Sequence, residues 1–386
     1  MKVLIRFRPC SPSRSPLRYA LSRSPSLPPS SLCDVLTLRA WRSDDHSARM
    51  GSRKQERYRF KDGGVLGDGA DQREVFERGC REMCGKVLKG YNCCVFAYGQ
   101  TGSGKTYTVT GGEAYDDRGV APRCVEEIMD GVKRKGGGSV CVSYVEVYNE
   151  VVYDLLAGQG TRPRVEAGSE AVYEIVDAGQ GISLLFMGNS VRSIAGTKMN
   201  SESSRSHAVF TVMVERSDGK RRKYGRISIV DLAGSESSTC DDDDDVARRY
   251  EGGARKEQLK GCSNSRECRS INLSLHHLRR VLRAMSLNSR CGKSAVCGGV
   301  GVASSAAAAH VPFRDCALTR VLRGSLSMSS FVTIVACARQ EEGTGGEARE
   351  CFRFAEGAGG IEVEQGRNEV VKCNGKCKVC CEKRGG

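Results

Sequence analysis

The octet Gly99-Gln100-Thr101-Gly102-Ser103-Gly104-Lys105-Thr106 constrains this chain more than any other stretch. It has the spacing of a phosphate-binding loop: a glycine, four residues, then Gly-Lys-Thr. Ahead of it, Cys93-Cys94-Val95-Phe96-Ala97-Tyr98 is an apolar run that predicts a buried strand. Behind it, Tyr107-Thr108-Val109 opens a helix. Glycines let backbone N–H groups turn toward one point, and a helix N-terminus adds partial positive charge. Such a loop is shaped to wrap a di- or triphosphate. Lys105 adds a point charge for the β- and γ-phosphates, and the Thr106 hydroxyl adds a ligand for Mg²⁺. Alone, the loop implies a bound nucleoside triphosphate and nothing narrower.

Length and composition set the frame. A chain of 386 residues holds one large domain or two ordinary ones, and 39% hydrophobic residues suffice for a core. No run reaches membrane-spanning length, and the apolar start at 1–6 is too short for a signal peptide. The 20 cysteines are scattered without a secretory signal and read as reduced thiols. The net charge of +14 favours a polyanionic partner, although arginines of an N-terminal low-complexity stretch contribute to it.

Strand-like and helix-like runs alternate along the chain. Residues 3–9 predict a first strand stopped by Pro9. The Ser/Pro/Arg-rich stretch 11–31 predicts a disordered insert. Strands are expected at 35–39 and 57–60. One helix is expected over 71–90, with Val75, Phe76, Cys80, Met83, Cys84, Val87 and Leu88 near helical spacing and Gly90 as its stop. A short helix at 125–132 precedes a strand at 139–148, a break at Asn149-Glu150 and the apolar piece 152–156. A polar loop at 200–207 leads into a strand at 208–214, and 220–223 reads as a basic hairpin tip. The strand 226–230 delivers Asp231. Five aspartates at 241–245 repel one another and predict a loop. Helices at 271–285, 319–326 and 347–358, a strand at 332–337 and a second disordered insert at 289–309 complete the series. Alternation around a phosphate loop predicts an α/β fold, a P-loop NTPase with a central, mostly parallel, twisted β-sheet flanked by helices on both faces.

Asp231 at the end of a strand, followed by Gly234, is the second element such a loop requires. The carboxylate serves Mg²⁺, and the glycine N–H serves the γ-phosphate. Ser203 and Ser204 offer hydroxyls nearby in the chain. Taken in order, the octet, Asn200-Ser201-Glu202-Ser203-Ser204-Arg205-Ser206-His207 and Asp231-Leu232-Ala233-Gly234-Ser235-Glu236 resemble the motifs of the kinesin motor domain. The same resemblance runs through Arg6-Phe7-Arg8-Pro9, Tyr144-Val145-Glu146-Val147-Tyr148-Asn149-Glu150 and Ile271-Asn272-Leu273-Ser274-Leu275. It continues through His310-Val311-Pro312-Phe313-Arg314-Asp315 and Arg353-Phe354-Ala355, covering about residues 2–370.

The resemblance implies a motor domain over 1–371, interrupted by the two inserts and followed by a short Cys/Lys-rich tail at 372–386. It implies a microtubule-stimulated ATPase using ATP and Mg²⁺. ATP is expected over the octet, with Arg6, Arg8 and Pro9 flanking adenine, Tyr107 stacking from the other side and Asn200 completing the contacts. Thr106 and Ser204 are the implied Mg²⁺ ligands, with Asp231 acting through water. Lys105 and the Gly234 N–H are the implied γ-phosphate contacts. Arg205 and Glu236 are the implied ion pair that closes the two switch loops and orients the attacking water.

In kinesins the helix after the second switch faces the microtubule, whose surface is acidic. Arg279, Arg280, Arg283, Arg314 and Arg320 are therefore the implied docking residues. The implied partner is tubulin, not a specific nucleic acid or a membrane, and the implied place is the cytoplasmic microtubule cytoskeleton. Residues 361–371 correspond to the neck linker, and no heptad repeat follows, so the chain as written is expected to be monomeric. Several track-side features depart from the pattern: the aspartate run, the insert at 289–309, Ala317 in place of lysine, Leu326-Ser327-Met328, and 358–361 without basic residues. They set up a competing expectation, a nucleotide-binding kinesin-like protein with weak or lost motility that acts as a microtubule tether or binding module. A GTPase-like switch is disfavoured by Arg6, Pro9 and Tyr107 and by the lack of an Asn-Lys-x-Asp motif. Cys373, Cys377, Cys380 and Cys381 have a spacing that would let them share one zinc ion.

Overall fold

The computed structural model describes residues 1–8, 19–24, 33–39, 55–61, 64–67, 69–158, 160–197, 204–218, 221–235, 262–293, 310–326, 330–339, 345–359 and 368–371. The strand before the octet, β5 (Asn92–Tyr98), lies inside a ten-stranded sheet. Cys94, Phe96 and Tyr98 face one side and Cys93, Val95 and Ala97 the other, all buried. A strand covered on both faces is apolar throughout rather than alternating, as its sequence is. On one side β5 pairs parallel with β12 (Phe331–Arg339), which pairs parallel with β1 (Lys2–Arg8). On the other it pairs parallel with β11 (Arg221–Asp231).

Beyond β11 the sheet turns antiparallel, through β10 (His207–Asp218), β6 (Ser139–Tyr148), β7 (Val151–Asp154) and β8 (Arg164–Val165). β9 (Tyr173–Ile175) pairs with β6, and β13 (Glu369–Val371) with β11. The expected parallel arrangement therefore holds for the four strands around the octet, and the sheet as a whole is mixed. Hairpins are the reason, since only antiparallel neighbours accept so short a link. In the β6–β7 hairpin Tyr148 opposes Val151, and Asn149 and Glu150 both take positive φ (48° and 62°), a two-residue turn whose twist matches the strands.

Helices cover both faces. α1 (Gln72–Gly79), α2 (Arg81–Val87), α3 (Lys105–Val109), α4 (Val120–Arg134) and α5 (Ala178–Thr197) pack on the face carrying Val95. α6 (Cys262–Lys293), α7 (Ala317–Leu322) and α8 (Gly345–Gly359) pack on the face carrying Phe96. That second face also receives a small antiparallel sheet of β2 (Tyr19–Ser24), β3 (Cys33–Arg39) and β4 (Gln55–Lys61). Tyr58 of β4 meets Phe352 of α8 edge-on at 5.5 Å, and Phe7 of β1 does so at 5.9 Å.

Several expectations are corrected. The insert at 11–31 contains β2, whose backbone hydrogen bonds come from β3, a partner its composition does not reveal. The helix expected at 71–90 is two helices, hinged at Cys80 where Gly79 lies against Leu4. α4 begins five residues before the expected 125, held by Arg123, which donates to the carbonyls of Tyr115, Asp116 and Arg118. Residues 221–223 are strand rather than hairpin tip, lying between β10 and β13. α6 runs to Lys293 and so includes the first residues of the expected second insert. Residues 241–245, 294–309 and 372–386, with the four tail cysteines, lie outside the described residues, as do 361–367 of the expected linker. The nine cysteines whose side chains are described are free thiols, and no described helix is long and apolar enough to cross a membrane.

Candidate nucleotide site

The octet follows β5 without slack. Gly99 takes φ +151°, and a Cβ there would stand 2.0 Å from the Cys337 carbonyl oxygen on β12, so only glycine fits. Gly104 is left-handed (φ 93°) and turns the chain into α3. Lys105 is buried, and its ammonium donates to the carbonyls of Gly99 and Gln100 at 2.8 Å each. Both amide atoms of Gln100 and the Ser103 hydroxyl are buried without a hydrogen-bond partner. Unpaired buried polar atoms are costly, and here they gather in one loop.

Asp231 ends β11, the parallel neighbour of β5, which brings it beside α3. The Thr106 hydroxyl donates to Asp231 Oδ2 at 2.8 Å, while Oδ1 is buried without a partner. Arg192 of α5 also reaches Oδ2 at 2.9 Å and donates to the Ser206 carbonyl at 2.9 Å. Its Nε lies 3.5 Å from Glu146 on β6, whose other oxygen pairs with Arg162. Arg162 in turn stacks over Tyr153, 4.7 Å from the ring centre. Burial pulls the Arg192 pKa down, yet Asp231, Tyr144 and Glu146 together leave it raised. Two carboxylates and two guanidinium groups thus balance one another beneath the site. Neither Arg192 nor Glu146 is assigned a role by the motif reading. The available signal was Glu146 itself, an acid in the middle of a Val/Tyr strand that must find a cation.

The two switch segments meet at the loop. The Gly234 N–H donates to the Ser204 carbonyl at 2.8 Å, and the Ser235 N–H to the Gly99 carbonyl at 3.1 Å. The Ala233 N–H donates to His207 Nδ1 at 3.0 Å. His207 Nε2 therefore carries the proton and donates to Ser274 Oγ of α6 at 2.7 Å, and Ser274 donates to the Ile271 carbonyl. Burial, reinforced by the charges of Arg192 and Lys105, lowers the His207 pKa to about 3 and keeps the ring neutral. Arg205 is half-buried beside Ser204. Pro9, Asn200, Ser203 and Glu236 lie outside the described residues.

On the base side, Arg6 donates to Gln72 Oε1 at 2.7 Å and to the Thr108 hydroxyl at 2.8 Å. Gln72 donates onward to the carbonyls of Tyr107 (2.6 Å) and Asp117 (3.1 Å). Motif reading left Gln72 unassigned. The Arg6 guanidinium lies 5.4 Å from the centre of the Tyr107 ring, so these two side chains touch each other, and 47% of Tyr107 remains exposed. Arg8 donates to the Gly102 carbonyl. A groove of about 1310 Å³ runs from Ser204 and Asp231 past the octet to Tyr107, then between α1 and α4.

The five arginines expected at a filament divide. Arg283, Arg314 and Arg320 are exposed. Arg280 is 51% exposed while pairing with Asp315 at 2.8 Å. Arg279 is exposed as well, while its guanidinium donates to the Tyr98 hydroxyl and lies against the Phe354 ring.

Residues 29–361 match the family model described as the kinesin motor domain. The chain belongs to the kinesin motor domain family. It is 32% identical over 302 residues to the kinesin-like protein KIN-5D of Arabidopsis thaliana, covering 70% of this chain and 25% of that protein. It is 31% identical over 328 residues to the kinesin-like protein Klp68D of Drosophila pseudoobscura pseudoobscura, covering 82% and 37%. This motor domain thus spans about a quarter to just over a third of those relatives. A solved fast kinesin, described for its ATPase mechanism and its interactions with microtubules, superposes with a TM-score of 0.68 at 28% identity over 98% of this chain and 96% of that one.

Proposed function

We propose that this kinesin motor domain binds ATP with Mg²⁺ at the octet, hydrolyses it, and couples hydrolysis to microtubule binding and movement. The observation that carries the reading is the Thr106–Asp231 junction, a hydroxyl and a carboxylate 2.8 Å apart beside the phosphate loop. The unpaired Asp231 Oδ1, Ser103 Oγ and Gln100 amide fit a site for Mg²⁺ and phosphate. Thr106, Ser204 and Asp231 are the residues that would hold the metal. When bound, Mg²⁺ neutralises charge across the β- and γ-phosphates.

The remaining work belongs to the chain itself. Lys105 supplies a fixed positive charge to the phosphates, and the exposed Tyr107 face offers a stacking surface to adenine. Arg192 holds Asp231 in place from behind. Gly234 and Ser204, already in contact, are the points at which a γ-phosphate is sensed, and Arg205 with Glu236 aligns the attacking water. Arg280, Arg283, Arg314 and Arg320 supply the positive face for acidic tubulin.

The test is hydrolysis by the purified chain with Mg²⁺ or with EDTA, and with ATP or GTP. ATP turnover that needs Mg²⁺ and exceeds GTP turnover is expected, and Lys105→Ala should weaken nucleotide binding by about tenfold or more. Equal turnover of both nucleotides, or none, would contradict the reading.

A further inference from the structure

Arg279 is an exposed residue of α6, the helix that kinesin resemblance turns toward the filament, but its guanidinium is held by two rings of the chain itself. The guanidinium donates to the Tyr98 hydroxyl. It lies 5.8 Å from the Tyr98 ring centre and 5.3 Å from that of Phe354. The two rings are packed together at 4.2 Å. One side chain thus joins three elements: α6, the end of β5, and α8.

Tyr98 is one residue from the phosphate loop. The next carbonyl, of Gly99, accepts hydrogen bonds from both Lys105 and Ser235. Ser235, on the second switch, also acts on the Tyr98 hydroxyl, partly offsetting the rise that burial gives its pKa. A shift of α6 is therefore transmitted by one contact to the residue that anchors the loop. The planar guanidinium suits this place, because it stacks on a ring while donating from its edge, and a lysine ammonium does not.

We propose that Arg279 is a positioning residue that ties α6 to the nucleotide loop, so that nucleotide retention depends on where α6 lies. The proposal rests on the ATP-site reading above. Its role is to hold Tyr98 and Phe354, not to contact the filament.

The test is release of mantADP from the motor alone, followed by ATPase titrations with microtubules. Arg279→Ala and Arg279→Lys are each expected to speed release about fivefold, the change that loss of one partly desolvated cation–π contact makes. Phe354→Leu should do the same, and the double variant R279A/F354L should add little, because both remove one interaction. With microtubules, R279K should lower kcat and leave the KM for microtubules within about twofold. R279K is a charge-conserving change at an exposed position, so the test stands even if the Phe354 variant does not fold. Wild-type release by R279K would overturn the proposal, as would an R279A effect confined to microtubule KM. Failure of the wild-type chain to retain any mantADP would instead remove the ATP-site reading beneath it.

Discussion

At the scale of single residues, the centre of the site is a charge balance. Arg192 and Asp231 are 2.9 Å apart with 4% of each side chain exposed. Removing one partner from so buried a pair leaves an uncompensated charge. Arg192→Met is expected to cost ~3 kcal/mol or more of stability, read from the urea midpoint at pH 7. It should also slow ATP turnover, because Asp231 loses its anchor. His207 sets a pH dependence. Its pKa falls from 6.5 to about 3, so the unfolded chain takes up a proton that the fold refuses until far lower pH. The stability from this group is fully present above about pH 6.5 and is lost as pH drops toward 3, at up to ~1.4 kcal/mol per pH unit. Urea unfolding at pH 7, 6 and 5 checks this. His207→Asn should be less stable at pH 7 and should show a flatter slope.

At the scale of elements, what the sequence revealed depended on how locally each element is specified. The octet and its strand were legible because β5 is apolar on both faces and the glycines have local geometric reasons. α5 was not. Gly179, Gly181 and Gly188 lower its helix propensity, and Met187 and Ile194 are exposed, so no clean stripe forms. The glycine at 188 has a packing reason instead: a Cβ there would meet the Tyr144 ring at 2.4 Å, so the helix can lie directly on β6. Arg192 went unassigned because it sits on that helix. β2 was missed because its hydrogen bonds depend on β3, and the hinge at Cys80 because it depends on Leu4. The α6–α7 surface makes a separate prediction. Arg283, on α6, and Arg320, on α7, are exposed. Charge reversal at both should raise the microtubule KM by about tenfold at low salt, with the difference shrinking near 0.15 M because exposed charges are then screened. A KM unchanged at low salt would place tubulin on another face.

At the scale of the whole molecule, the mixed sheet does two jobs. Its parallel half delivers the phosphate loop and Asp231 side by side at the ends of β5 and β11. Its second face carries α6, α7 and α8, which hold the candidate filament arginines and, through Phe354, the Arg279 contact. The His207–Ser274 and Tyr98–Arg279 contacts both cross from the nucleotide side to α6. A motor needs such crossings, since a change at the phosphate must be felt where the filament binds. The central claim is that ATP turnover and filament binding are linked in this chain. Steady-state ATPase measured against rising microtubule concentration tests it most directly. A saturable rise of about tenfold or more over the basal rate, a barrier lower by ~1.4 kcal/mol, is the expected result. A rate that stays flat while the chain co-sediments with microtubules would contradict the link.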